Sequence, residues 1–370
     1  MTSFYDKKQY RKNIAAYFSH DKAIKQTDLS DIHFVSAAVQ ERVDLLLWER
    51  LECVQDNDFI GLRVRQKEYA LWDLRIKNTL SQILTALNEA KLPVLIMRGQ
   101  ALAETLYIQP HTRPQSDIDL IFEPACALQA KQVLWDIGFH PDSVYADMFV
   151  RGDIQLDIHT EPLGIERIQA WQYLTPLRAK DFFKYGQEGR LAGEKALLLH
   201  PRVNLPYLCF HALKHSFERL LWLYDIALLA NDISAKQQWD EVVQGIEDYK
   251  LERPCFYALS YAKAHLGADV PDEMLDKICP DMGFVERRLF KRHMHHEVIP
   301  YLAERLFARM QPDFKHRVDF WKETIYPRYE VRAQMANGGC VKCSFIRTRL
   351  KQVFKAFTGF MREGWLLVRG

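Results

Sequence analysis

No stretch of the 370 residues approaches the roughly 20 uninterrupted apolar positions that a membrane span requires. The opening residues, MTSFYDKKQYRKN, are polar and charged and lack the apolar core of a secretory signal. Charge of one sign is also missing. Fifty basic residues face 48 acidic ones, a net of +2, whereas a dedicated nucleic-acid binder shows a strongly basic domain. Cysteine is sparse: seven residues, an odd number with no dense framework, which suits a reducing cytoplasm. There is no internal repeat and no low-complexity tract. What is present is apolar and aromatic side chain, 48% and 12% of the chain, enough to exclude a disordered protein and to build a sizeable core.

The pattern predicts an α+β protein in four parts. Residues 1–90 read as a helical arm, with one helix over 37–54 and a longer one from about 62 to 90. Residues 91–165 read as a small mixed-sheet core. There Val94 to Met97 form a short buried strand ended by Gly99, a short helix covers 100–108, and DIDLIF (117–122) is a strand. A helix runs from Pro124 to about Ile137, and the segment 144–159 is a hairpin turning at Arg151-Gly152-Asp153. Residues 166–340 read as a larger helical region, its clearest helix over 207–232 with an entry at Val203 to Pro206. Residues 341–370 read as a basic, aromatic C-terminal helix.

The chemistry concentrates on three carboxylates. Asp117 and Asp119 are two apart on a strand, so both point to one face while Ile118 and Leu120 point to the core. In IQLDIHT the same alternation puts Gln155, Asp157 and His159 together. If the two strands are sheet neighbours, the three acids converge. Like charges at close range destabilise one another, and a bound divalent cation relieves them. Hard oxygen ligands favour magnesium or manganese, which is equipment for phosphoryl or nucleotidyl transfer. Upstream, Gly99 sits between a strand and a helix whose N–H groups suit a phosphate. Arg98 and Arg113 supply bidentate donors, and Ser116 a hydroxyl. His159 reads either as a contact to substrate, as support for Asp157, or as a satisfied histidine at the strand end.

The order strand–glycine–helix, Asp-x-Asp, then a later strand with one more Asp resembles the DNA polymerase β-like nucleotidyltransferase superfamily. More narrowly, VLIMRGQALAETLY, RPQSDIDLIF and IQLDIHT resemble a bacterial family labelled only as nucleotidyltransferases, and HALKHSFERLLWLYDIALL resembles its helical region. The match covers 92–160, with weaker support to 232. The resemblance implies metal-dependent transfer of a nucleoside monophosphate from an NTP to an acceptor hydroxyl, with release of pyrophosphate. It places two Mg2+ or Mn2+ ions on Asp117, Asp119 and Asp157, and the phosphate loop on Gly99 and its neighbours. Two positions depart from the family pattern: its Lys is Arg98 here, and the Ser of the superfamily's Gly-Ser is Gln100. The acceptor is a small molecule, a protein or an RNA end, contacted from the helical side by Glu218 or Asp225. A nucleotide-binding sensor or scaffold with little turnover is the alternative.

Three further features read as structural. Cys340-Val-Lys-Cys343 resembles half a zinc knuckle but lacks a second pair, so two free thiols are expected. His293-Met-His-His296 reads as a solvated helix face. Residues 345–370 set six basic residues against Glu363 and read as a packed terminal helix, with peripheral contact to an anionic membrane or a polynucleotide as alternatives.

Overall fold

A computed structural model describes residues 4–19, 31–48 and 60–328, together with 331 and apart from 144, 146, 166 and 167. The segment 345–370 and the Cys340/Cys343 pair lie outside the described residues. No helix among the described residues is long and apolar enough to cross a membrane.

Among the described residues, four helices precede the first strand: α1 (Phe4–Ser19), α2 (Ile32–Gln40), α3 (Asp44–Trp48) and α4 (Ile60–Glu89). The helix expected over 37–54 is therefore broken. The break falls at 41–43, where Arg42 adopts a left-handed φ of 58°. No glycine or proline marks it. It is held from elsewhere in the chain, because Glu41 accepts hydrogen bonds from the backbone N–H groups of Leu220 and Leu221.

The sheet has seven strands: β1 (Leu95–Met97), β2 (Ile118–Ile121), β3 (His140–Pro141), β4 (Met148–Arg151), β5 (Ile154–His159), β6 (Gly186–Leu191) and β7 (Glu194–Leu199). Their order is β3-β4-β5-β2-β1-β7-β6. β2 runs antiparallel to β1 and parallel to β5. Helices α5 (Gly99–Leu106) and α6 (Ala127–Asp136) fill the connections. The outer hairpin β6–β7 lies in a stretch the sequence reads as helical. It turns at Ala192-Gly193, both with positive φ, a turn that twists as a hairpin requires.

Alternation sorts the two sheet faces. Ile96, Ile118, Leu120, Leu156 and Ile158 pack under Ile76, Leu80, Ile83 and Leu87 of α4. Leu95, Met97 and Ile121 point the other way, into a larger core shared with the helices after residue 200. Each such side chain contributes about 1.5–3 kcal/mol of burial. Asp117 and Asp119 share the parity of Ile121, so the acids face the helical side.

That side comprises α7 (Ala179–Lys184), α8 (Pro201–Lys214), α9 (Leu220–Ala235), α10 (Trp239–Asp248) and α11 (Glu252–Leu266), followed by α12 (Asp272–Lys277), α13 (Phe284–Met294), α14 (Leu302–Met310) and α15 (Phe314–Ile325). The helix expected over 207–232 is two helices. α8 starts earlier, at Pro201, and the chain breaks at Ser216 and Phe217, both left-handed. Pro206 lies inside α8 and leaves the Arg202 carbonyl without its helical donor. Gly245 of α10 packs on that carbonyl so closely that a Cβ would stand 2.2 Å from it. The helices of the expected N-terminal arm pack onto this side, with Ile14, Phe18, Phe34 and Ala38 joining the same core.

The expected solvated face at 293–296 is also corrected. His293 and His296 are buried, at 2% and 7% exposure. His293 lies against Phe217, Tyr257 and Tyr261, and the Tyr261 hydroxyl is 2.8 Å from His296 Nδ1. Burial, with Arg11 adding repulsion, pushes His293 down to about 3; burial, His265 and Arg11 do the same for His296. A base held neutral below its unfolded value costs stability as pH falls from about 6.5 toward 3. Acid should therefore destabilise the protein across that window. His293→Phe should recover about 2.8 kcal/mol at pH 4.5, two units below the unfolded value at about 1.4 kcal/mol per unit. Thermal melts from pH 7 to 4 check this, and an unchanged slope in the variant contradicts it.

Candidate active site

Register brings the acids together. On the adjacent parallel strands β2 and β5, Asp119 is paired with Asp157, and on the antiparallel side Met97 of β1 is paired with Asp119. The residue after Met97 is Arg98, which thus ends its strand beside Asp119. Its backbone has φ 47°, ψ −134°, a costly conformation for a side-chain-bearing residue. Gly99 follows at φ 21°, and a Cβ there would stand 3.2 Å from Gln115 Oε1. The turn is braced from below. Trp72 Nε1 donates to the Gln115 carbonyl at 3.0 Å, Gln115 donates to Gln100 Oε1, and Gln100 donates to Glu104 at 2.7 Å. Glu104 in turn accepts the Ala192 N–H at 3.0 Å, tying the hairpin β6–β7 to the turn. The Gln100 side chain is buried in this chain of bonds, so only its backbone can serve a phosphate.

Each acid has a different environment. Asp119 is buried. Arg98 Nη2 donates to its Oδ1, and His159 Nε2 stands 3.3 Å from the same oxygen. Burial would raise this carboxyl, but Arg98 and His159 outweigh it and hold it down to about 2. His159 Nε2 is also 3.2 Å from Asp157 Oδ2. Burial lowers His159, yet the hydrogen bonds to Asp119 and Asp157 bring it up to about 9. Asp117 is half-buried and accepts from Ser116 Oγ at 3.0 Å. Its carboxyl is raised, by burial first and then by the Asp119 charge. Of the expected set, the structure brings Asp119, Asp157 and His159 closest, with one ligand atom from each lying within 4.8 Å of the others. Two carboxylates and an imidazole are a donor set that fits a divalent cation. The places taken by Arg98 and His159 show how strongly these oxygens require positive charge.

Arg98 also reaches across to the helices. Its Nη1 donates to His211 Nδ1 at 2.7 Å. A guanidinium can only donate, so His211 must accept and stay neutral. Burial, then Arg98, depress its pKa accordingly. Tyr207 lies beneath the Arg98 guanidinium at 6.0 Å. Next along α8, His215 is pushed down to about 4 by burial, Lys214 and Arg98. The residue reading missed Tyr207, His211 and His215. The four-residue spacing of the two histidines on one helix face was the available signal.

Two expectations are corrected. Arg113 does not face a phosphate. It is buried and forms a bidentate pair with Asp225, Nε to Oδ1 at 2.8 Å and Nη2 to Oδ2 at 2.7 Å, with Tyr107 also donating to Asp225 at 2.6 Å. Asp225 is therefore held from an acceptor: a buried arginine requires a buried carboxylate. Glu218 is exposed in the break between α8 and α9, where its carbonyl accepts from Arg11 at 3.2 Å.

The sheet is mixed, carries paired acids on neighbouring strands and is capped by a helical layer. Residues 30–267, more than half the chain, match the model of a family described as uncharacterised nucleotidyltransferases, and the chain belongs to that family. No curated protein and no solved structure matches it.

The Arg113–Asp225 pair yields a prediction. Asp225→Ala leaves a buried cation alone and should cost about 3–5 kcal/mol. The double variant Arg113→Met/Asp225→Leu should recover most of that loss in chemical denaturation. A double variant as unstable as the single one would contradict a purely structural role for the pair.

Proposed function

We propose that this protein transfers a nucleoside monophosphate from an NTP to an acceptor hydroxyl and releases pyrophosphate. The observation that carries the reading is the Asp119–Asp157 register on adjacent parallel strands, with Asp117 at the entry of the same strand. Magnesium or manganese, two ions in the active complex, would be held by Asp117, Asp119 and Asp157, with His159 at the edge of the set. Such ions supply charge neutralisation on phosphate oxygens and acidify a bound hydroxyl.

The chain's own residues do the rest. The acceptor oxygen attacks the α-phosphorus, and the bond from that phosphorus to the bridging oxygen breaks. The electron pair leaves with pyrophosphate, and the hydroxyl proton passes to Asp157 and then to water. Asp157 suits that role because, of the pair on the two adjacent strands, it is the more exposed: its side chain is 37% accessible against 6% for Asp119. Backbone N–H groups at the start of α5 face the phosphates. Arg98, now on Asp119, provides a guanidinium within reach of the incoming triphosphate. The acceptor enters between the sheet and α8–α9, toward which the acids point. The cytoplasm supplies the NTP, and Cys126, Cys209, Cys255 and Cys279 are all free thiols.

The test is pyrophosphate release from each of the four labelled triphosphates with Mg2+ or Mn2+ and a cell lysate as acceptor source. Label should move to an acceptor, and Asp119→Asn or Asp157→Asn should lower the rate at least about a hundredfold while the fold persists. Triphosphate binding without turnover by the parent would favour the sensor reading instead. Full activity of either variant would refute the assignment.

A further inference from the structure

We infer that Arg42 and Arg219 form an anion site beside the carboxylates that binds phosphate oxygens, those of the donor's triphosphate tail. Three observations place the two arginines together and leave both without an ion pair among the described residues. The first is the clamp at Glu41. Its carboxylate accepts the Leu220 N–H at 2.7 Å and its carbonyl accepts the Leu221 N–H at 3.2 Å. This pins the left-handed turn at Arg42 onto the start of α9, where Arg219 is the preceding residue.

The second is the allocation of the nearby acid. Glu41 is occupied by Arg11, whose Nη1 lies 3.1 and 3.0 Å from its two oxygens. Arg11 is in turn fixed by the carbonyls of Phe217 and Glu218. That charge is already matched. Among the described residues, neither Arg42 nor Arg219 has a carboxylate within salt-bridge distance. Arg219 instead rests over the Trp222 ring at 4.9 Å.

The third is continuity with the acids. Arg98 binds Asp119 and His211. The His211 ring lies 5.4 Å from the Trp222 ring, and Trp222 carries Arg219 on its face. This path spans the gap between sheet and helices. Arg219 is near enough to feel Glu218, Glu41 and Asp117, yet burial and then Arg42 outweigh them and lower its pKa. Arg42 and Arg219 are both half-buried and repel each other, a repulsion that an anion bound between them would relieve. Phosphate, multiply charged and offering paired oxygens to the guanidinium fork, is the ligand chemistry such a pair recognises.

The choice of triphosphate rests on the transfer reading; the anion site itself does not. The full chain, in EDTA, is titrated with inorganic tripolyphosphate and followed by tryptophan fluorescence, with Trp222→Phe identifying the reporting ring. Arg219→Gln and Arg42→Gln should each weaken tripolyphosphate at least tenfold. Arg219→Lys, which keeps the charge, should lose less, and melting curves of all variants show whether they fold. ATP should displace the tripolyphosphate. Persistence of binding with ATP in excess would assign the site to a phosphate-bearing acceptor and overturn the donor assignment. Unchanged affinity in both folded Gln variants, or no binding by the parent, would overturn the site. If Asp119→Asn abolishes turnover while both Gln variants still bind normally, only this inference fails. If the Gln variants lose tripolyphosphate and no triphosphate is ever turned over, the anion site stands and the transfer reading fails.

Discussion

Arg98 and Asp119 form the contact on which the site's arrangement hangs. A carboxylate buried to this degree cannot remain ionised without a cation, and a buried guanidinium cannot lose its proton to escape the cost. Each therefore fixes the other. Because Arg98 directly follows β1 and Asp119 lies in β2, the pair closes the sheet at its centre. Because the same guanidinium donates to His211 of α8, it also sets where the helical layer meets the sheet. The left-handed backbone at Arg98 is the conformational cost of this placement, and the buried chain from Trp72 through Gln115 and Gln100 to Glu104 holds it there.

A second buried pair plays the plainer role. Arg113 and Asp225 join the loop before β2 to α9 with two hydrogen bonds. Arg98 and Arg113 are thus held differently: Arg98 shares its donors between Asp119 and His211, whereas Arg113 gives its bidentate fork to Asp225. Glu41 makes a third junction, between the N-terminal helices and α9, so all three joints that frame the cleft are ionic while the layers themselves are apolar.

The sheet centre was legible because its signals are local. Leu95 to Met97 is a short apolar run ended by glycine, and 117–121 and 154–159 alternate with period two, which by itself puts Asp119, Asp157 and His159 on one face. The breaks were not legible. Arg42, Ser216 and Phe217 take left-handed conformations at residues that carry no turn signal, because distant hydrogen bonds hold them. The hairpin 186–199 turns at Ala-Gly, and its strands GQEGRL and EKALLL hold no β-branched or aromatic residue, a composition with weak strand preference. Arg113 was misread because its partner lies 112 residues away. The buried state of His293 likewise depends on Phe217 and Tyr257, which no local pattern announces.

In the proposed function Asp119, Asp157 and their neighbours hold a divalent cation between the sheet and the helices. Crystals of the protein grown with Mn2+ and a non-hydrolysable NTP analogue test it by anomalous scattering at the manganese edge. The account predicts manganese bonded to carboxylate oxygens of Asp119 and Asp157, with Arg98 turned from Asp119 toward the phosphates. Manganese bound elsewhere, or a nucleotide seated in this cleft with Arg98 still on Asp119 and no metal between the strands, would contradict it.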